Sequence, residues 1–349
     1  LLKEQIEKNN LQGFLAHNSK NIYYLTGFMS TGGAYLLVPK DSEPILWISK
    51  LEWNRAKEEA ENCDLRMIKQ RSKVIKTLSK ELHDSKLKKV GFDEIEVREY
   101  LGLIKEWRGE MKNGVQLIWN LRKVKDDEEI AIMKEAAKLA DLGVQVALDT
   151  AVPGIDEFRV AAEAEYAMRI KQSEGTAFET IVASGPRSAF PHGPPTKRKI
   201  QKGDLVVVDI GAIFRNYRSD ITRTIVAGRP SKKQREIFDT VIEAQEIAFK
   251  RYKDKMKCSL VDRTARSLIT KKGYGKYFIH GLGHGIGLDI HEPPTVSPNS
   301  RDQLEKGCLV SNEPGIYIPG VGGLRVEDMI QVGQNSGERI TLTPRRIRL

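Results

Sequence analysis

The 349-residue chain holds only three cysteines, Cys63, Cys258 and Cys308, and they lie far apart. They form no metal-ligand spacing and cannot all pair within one chain, so they read as free thiols in a reducing compartment. Long apolar runs are missing too, since none approaches the roughly 18 to 20 residues of a membrane span. The opening "LLKEQIEKNN" is a charged helical pattern without the apolar stretch of a signal peptide. No membrane partner is expected, and the cytoplasm is the expected location. Tandem repeats and low-complexity tracts are also absent. What is there is ordinary for a globular protein, with 40% hydrophobic and 7% aromatic residues over a length sufficient for two domains.

A formal net charge of +10 invites a nucleic-acid reading. Lys and Arg are interleaved with Glu and Asp, however, as in "KVKDDEEIAIMKEAAK", and this suits a solvated, salt-bridged surface better than a phosphate-binding stripe. No nucleic-acid partner is expected. The large share of Lys, Arg and Glu is compatible with a heat-adapted source.

From residue 1 to 121, short apolar runs alternate with helical patterns. "GFLAHNS", "NIYYLTG", "GAYLLVPK", "PILWISK", "DLRMIKQ" and "KKVGFDE" read as strands. "LEWNRAKEEAEN", "SKVIKTLSKELHDS" and "VREYLGLIKEWRGEM" read as helices, which together predict a small α/β domain. All four tryptophans, Trp47, Trp53, Trp107 and Trp119, lie here and are read as packing residues. The boundary is placed near Arg122, and a second domain over 122–349 opens with a helix at "LRKVKDDEEIAIMKEAAKLADLGVQVAL". A further helix follows Pro153 and Gly154, with Asp156 as its N-cap. Beyond Ala177 strands and Gly/Pro-rich turns dominate, broken by helices at "SKKQREIFDTVIEAQEIAFKRYKD" and "SLVDRTARSLITKKG". The second domain is therefore predicted to be α+β.

Two stretches of that domain place acids where a core should form. "GDLVVVDIGAIFRNYRSDITRT" reads as a hairpin, and folding it between Phe214 and Arg215 sets Asp209 opposite Asp220. "CLVSNEPGIYIPGVGGLRVEDMIQV", folded about Gly320, sets Glu313 opposite Glu327. Like charges across a strand pair repel, and burying either without a partner is costly, so a cation is expected between them. Two hairpins with an acidic pair each suggest a duplicated half-domain with pseudo-symmetry.

Four acids offer hard oxygen donors, and one imidazole would complete a site suited to Mn, Co, Fe or Zn. Four of the six histidines, His192, His280, His284 and His291, lie in this domain. His280 and His284 have the spacing of two zinc ligands on a helix, but Gly281, Gly283, Gly285 and Gly287 argue against a helix, and the Glu of a zincin is missing. One of the two is the better candidate. "GLGHGIG" also fails to match G-x-G-x-x-G, and no Walker Lys follows it.

The ordered set "DIGA…SDITRT", "HGLGHGIGLDIHE", "SNEPGIYIPG" and "GGLRVED" resembles the creatinase and methionine-aminopeptidase superfamily of pita-bread metallopeptidases, and among them the archaeal-type Xaa-Pro dipeptidases. The resemblance spans the whole length, because that group has a small N-terminal α/β domain before a pita-bread catalytic domain. It implies that Asp209, Asp220, His284, Glu313 and Glu327 bind two divalent metals, Mn or Co first and Zn or Fe next. It also implies hydrolysis by a metal-bridged hydroxide, with Glu313 as proton shuttle. His192 and His291 match histidines that contact the substrate and the developing oxyanion. His280 matches a substrate-side contact, and Arg325 matches a position that supports the site or the substrate. Read from its neighbours alone, Arg325 could equally be a structural ion pair with an adjacent acid. The resemblance further implies a homodimer acting on proline-containing di- or short peptides. One departure is Thr295, where several prolidases carry an Arg that grips the dipeptide carboxylate; Arg301 on the same loop is a possible substitute. Aminopeptidase P, acting on longer peptides, is the alternative enzyme, and a non-catalytic peptide-binding module is the alternative of another class.

Overall fold

Five short apolar runs in the first third of the chain, with the polar segment Glu110–Asn113, assemble into one sheet. In the computed structural model, which describes residues 1–346, the chain divides into two units, Leu1–Arg122 and the part from Lys123 onward. The strands of the first are β1 Gly13–Ala16, β2 Tyr35–Pro39, β3 Ile45–Ser49, β4 Asp64–Ile68, β5 Lys89–Phe92 and β6 Glu110–Asn113, in the order β4-β3-β2-β1-β5-β6. Strand β1 pairs parallel with β5 and antiparallel with β2. Its residues are buried on both faces, with Phe14 and Ala16 in one apolar cluster and Leu15 in another. That two-sided burial is why these strands read as continuous apolar runs rather than alternating ones. Trp47 and Trp107 are core residues, and the Trp107 indole N–H donates to the carbonyl of Leu87 at 2.8 Å.

Two sequence expectations are corrected here. "NIYYLTG" is not a strand but part of a helix, Ser19–Thr26. The Asn18 side chain caps it by accepting from the N–H groups of Lys20 and Asn21, and Gly27 ends it in the left-handed region at φ 73°. The tail of "VREYLGLIKEWRGEM" leaves the helix at Trp107, where Arg108 turns left-handed at φ 61°, and its last residues begin β6 beside β5.

The second unit repeats one plan. Helices Asp127–Thr150 and Glu157–Ile170 precede β7 Gly175–Thr176, β8 Ile181–Ser184, β9 Leu205–Ile210, β10 Ala212–Phe214, β11 Tyr217–Arg218 and β12 Ile221–Val226. Helices Lys232–Phe249 and Cys258–Lys271 then precede β13 Gly283–Gly285, β14 Glu292–Val296, β15 Leu309–Asn312, β16 Gly315–Ile318, β17 Gly322–Arg325, β18 Asp328–Val332 and β19 Gly337–Arg339. Three helix starts are capped by side chains, and the expected cap at Asp156 is one of them. Asp126 and Ser231 form capping boxes with Glu129 and Gln234, and Asp156 accepts from the N–H of Arg159. Each helix pair covers its own sheet; Val206, Val208 and Ile210 of β9 pack with Ala140, Val144 and Met168, for example. Because β9 alternates, Asp209 then points away from those helices. Among the described residues no helix is long and apolar enough to cross a membrane.

Both hairpins are interrupted part-way. In the second, Asn312 faces Asp328 and Gly315 faces Arg325, so Glu313 and Glu327 stand across the gap from one another, with the turn centred on Gly320 as expected. Here the backbone changes partners: the Glu313 N–H donates to Leu282 O at 2.9 Å, and the Glu327 N–H to Thr222 O at 3.1 Å. The first hairpin turns one residue later than expected, at Arg215 and Asn216, both left-handed (φ 46° and 66°), a pairing typical of a two-residue type I′ turn. Asp209 consequently faces Thr222 and not Asp220. Asp220 lies two residues before Thr222, on the same face, so the acids are diagonal neighbours instead of a direct pair.

The first interruption needs Gly211, because a Cβ there would sit 2.0 Å from the carbonyl oxygen of Ser219. Gly211→Ala is expected to destabilise the protein by about 1–3 kcal/mol, as overpacking does, read as a lower midpoint in denaturant unfolding. An unchanged midpoint would show that the hairpin can open there without strain.

Candidate metal centre

Five side chains converge from these interruptions: Asp209 from β9, Asp220 from just before β12, His284 from the middle of β13, Glu313 from just after β15 and Glu327 from just before β18. Asp209, Asp220 and Glu327 are buried, and Glu313 and His284 nearly so. His284 Nε2 lies 3.3 Å from Glu313 Oε1 and 3.6 Å from Asp220 Oδ2. Asp220, His284 and Glu327 each offer one ligand atom, all within 4.8 Å of one another. Strand β13 can pass this close to its neighbours because Gly283 flanks His284; a Cβ on it would lie 2.1 Å from Ser311 O. His284 Nδ1 is 3.1 Å from the carbonyl of Gly285, to which it donates, so Nε2 faces the acids.

The acids do not share their positive neighbours equally. The Arg325 guanidinium pairs with Asp209 Oδ2, and the charge of His284 goes mainly to Glu313. Burial works against ionisation of Glu313, yet the hydrogen bond and charge of His284 overcome it and hold the carboxyl at about 2. Burial, with repulsion from the other acids, pushes Asp220 and Glu327 well above the ordinary carboxylate range. Asp209 is also raised, by burial that Arg325 offsets only in part. For His284, burial lowers its basicity but the hydrogen bond to Glu313 more than restores it.

The residues fit a divalent metal. Asp209 Oδ1 and Glu327 Oε1 are buried with no hydrogen-bond partner, which is costly unless a cation completes them. The donor set is hard oxygen plus one imidazole. The remaining contacts aim the ligands: Thr222 Oγ1 donates to Glu327 Oε2 at 2.7 Å, and Ser311 Oγ donates to Glu313 Oε1 at 3.1 Å.

A cavity of about 610 Å³ opens over this cluster, and His192, His280, His291 and Arg325 all line it. The rings of His291 and His284 meet edge-on at 4.3 Å, and burial together with His284 lowers the basicity of His291. His280 is also lowered, by burial, and its Nε2 lies 3.1 Å from Tyr317 Oη. Arg325 is buried, and besides Asp209 it bonds Tyr317 Oη at 2.7 Å and Pro191 O at 3.2 Å. Its acid partner is thus remote in sequence, not adjacent. Thr295 lines the cavity whereas Arg301 is exposed outside the lining, so among the described lining residues Arg325 is the only Lys or Arg.

Sequence reasoning missed Tyr317 and Thr222, although both lie inside the quoted motifs. It also missed the buried ion pair of Lys125 and Glu292, 3.1 Å apart and each 1% exposed, which anchors the residue after His291. Lys125 sits in a charge-rich run that reads as surface, and nothing local marks it as buried.

Residues 131–334 match the model of metallopeptidase family M24, and residues 1–124 match that of the creatinase/prolidase N-terminal domain. The chain is 40% identical over 349 residues to an Xaa-Pro dipeptidase of Pyrococcus horikoshii, covering 99% of this chain and 96% of that protein. Among solved structures it is similar to an Xaa-Pro dipeptidase from Bacillus anthracis, with TM-score 0.95, 36% identity and coverage of 99% and 97%. An X-Pro aminopeptidase from Thermotoga maritima is similar at TM-score 0.90 and 32% identity, with 99% of each chain covered.

The raised carboxyls make a pH prediction. Asp220 and Glu327 titrate near 4 in an unfolded chain. Folded without metal, they hold protons to higher pH, so stability is full below that range and falls as pH rises through their folded values. A bound cation displaces those protons. A divalent metal is therefore expected to raise Tm more at pH 7 than at pH 5 and to release protons on binding, read by thermal unfolding and by calorimetry in two buffers. An equal rise at both pH values contradicts this.

Proposed function

The chain belongs to metallopeptidase family M24 and carries a creatinase/prolidase N-terminal domain, and from that premise we propose that it is an Xaa-Pro dipeptidase. Residues 1–121 would form the N-terminal domain and 122–349 the catalytic domain of a cytoplasmic homodimer. One observation carries the reading: four carboxylates and His284 meet at the floor of a cavity, with two buried carboxylate oxygens lacking any partner. Asp209, Asp220, His284, Glu313 and Glu327 would hold two divalent ions, Mn or Co, with Zn or Fe as alternatives. When bound, such a pair supplies Lewis acidity, making water acidic at neutral pH and polarising the scissile carbonyl.

The chain's own residues do the rest. Glu313, kept ionised by His284, is placed to accept the proton of the attacking water and return it to the departing proline nitrogen. His291 stays neutral at pH 7 and can donate an N–H to the substrate oxygen as charge develops there, with His192 on the same cavity. His280 lines the cavity on the substrate side, with its Nε2 3.1 Å from Tyr317 Oη. Arg325 supports the site by neutralising Asp209 and leaves no free fork for a substrate carboxylate. The bond before proline lacks an N–H, the handle by which ordinary peptidases orient a substrate, and a site built on cations does not need it.

A specific observation favours the second reading, aminopeptidase P. The lining offers no unengaged Lys or Arg among the described residues to hold a dipeptide's carboxylate. A non-catalytic module is disfavoured by the full ligand set.

Glu313→Gln is expected to lower kcat by roughly 10²–10⁴-fold, the usual worth of a general acid–base, measured on Ala-Pro with Mn or Co. A kcat unchanged within twofold removes Glu313 from proton transfer. In a panel of Ala-Pro, Ala-Pro-Ala and Met-Ala, each with Mn, Co and Zn, the dipeptide is expected to give the highest kcat/KM. Faster cleavage of Ala-Pro-Ala instead assigns aminopeptidase P.

A further inference from the structure

Glu157, the first residue of helix Glu157–Ile170, is fully buried, and its carboxylate belongs to no metal or substrate contact. It collects five donors from one segment. Oε1 accepts from the N–H and Oγ of Ser184 at 2.8 and 2.7 Å. Oε2 accepts from the N–H and Oγ1 of Thr196 at 3.0 and 2.6 Å and from Arg187 Nε at 3.3 Å. The backbone repeats the attachment, since the N–H of Phe158 donates to Thr196 O at 3.2 Å. Ser184 and Thr196 bracket a segment that opens with a 3-10 helix, Gly185–Ala189, and continues as an irregular loop in which His192 lies.

That loop is one wall of the cavity, through Pro191, His192 and Pro194. Its middle rests on the metal-ligand hairpins. Pro191 O accepts from Arg325, and Ser188 Oγ accepts from the Gly323 N–H at 2.8 Å. With the middle docked and both ends held by one carboxylate, the position of an otherwise exposed His192 is fixed from behind. Chemistry that depends on a histidine at the mouth of the site depends on where this loop is pinned, and a displacement near 1 Å is enough to lose rate.

We propose that Glu157 is a positioning residue that acts through His192 by tying together the two ends of the 184–196 loop. The proposal rests on the reading of the cavity as the peptidase site. All five partners are donors, so a carboxylate satisfies them and an amide cannot. Gln keeps one oxygen for one end of the loop and turns an NH₂ toward the donors of the other. Glu157→Gln therefore frees one end without changing the size of the side chain.

In the metal-loaded protein, Glu157→Gln is expected to lower kcat/KM for Ala-Pro by about 10- to 100-fold, with metal content unchanged. Placed in a His192→Ala background, the same change is expected to cost less than twofold, because its effect passes through the missing imidazole. Amide hydrogen exchange is expected to rise across 185–195 and to stay the same in β9 and β12. Thr196→Val, which removes one donor and leaves Glu157 in place, is expected to give the same pattern at smaller size and covers the case in which Glu157→Gln fails to fold. Additive losses in the double variant, or unchanged exchange over 185–195, overturn the proposal. If the wild type does not cleave Ala-Pro, the peptidase reading fails, and the exchange measurement still decides whether Glu157 pins the loop.

Discussion

Four carboxylates buried within reach of one another cannot all remain ionised unless positive charge lies among them. The second unit is organised around that constraint. Its own cations, Arg325 and His284, pair most closely with Asp209 and Glu313, while at Asp220 and Glu327 burial and repulsion from the other acids outweigh what they supply. The unmatched pair is where the metal-free protein must hold protons, and a metal site is the arrangement in which those protons are exchanged for something permanent. Such a cluster contributes little to stability by itself; the apolar strands beneath it hold it in place. Val206, Val208 and Ile210 on one side and Val310, Ile330 and Val332 on the other anchor the strands that carry the acids.

Two repeated hairpins solve a geometric problem that one could not. A regular ladder would keep the acids of one hairpin beside each other and apart from those of the other. Breaking each ladder part-way lets the backbone of Glu327 bond to Thr222 and that of Glu313 bond to Leu282, so each acid is carried onto a neighbouring segment. Arg223 locks the junction from behind. Its guanidinium donates to Thr222 O at 2.9 Å and to Asp328 Oδ1 at 2.7 Å, and also bonds the carbonyl of Glu327. Beyond the ligands, buried acids play a different part, holding loops instead of ions: Glu292 with Lys125 beside His291, and Glu157 behind His192. The same residue type is thus a candidate ligand where its neighbours are other acids and a fastener where they are N–H and O–H donors.

Much of this was legible in the chain, and the exceptions have physical causes. The second hairpin's register followed from Gly320, because a glycine at positive φ names its own turn. In the first hairpin the turn falls on Arg215 and Asn216; Asn tolerates the left-handed region and Arg rarely announces it, so the register was displaced by a residue at the turn. "NIYYLTG" read as a strand because its β-branched and aromatic residues outweigh a single capping Asn18, although the cap and Gly27 decide the outcome. Asp209, Asp220, His284, Glu313 and Glu327 could be named as candidate ligands because the motifs carry their order, and the structure brings the five together at one cavity. The fasteners could not, because Lys125 and Glu157 sit in charged helical surroundings and their partners lie 167 and 27 residues away.

Charge balance also bears on how many ions such a site can hold. With one divalent cation, Arg325 and a protonated His284, the four carboxylates are neutralised, so a single ion satisfies the charges only while His284 keeps its proton. That proton occupies the nitrogen facing the acids, the one His284 would need in order to act as a ligand. With two divalent cations His284 would be free to bind as neutral imidazole, and the one positive charge then left by Arg325 would be balanced by the hydroxide expected between the ions. Charge balance therefore argues for a second ion wherever His284 acts as a ligand, since with one ion its proton is needed to offset the acids.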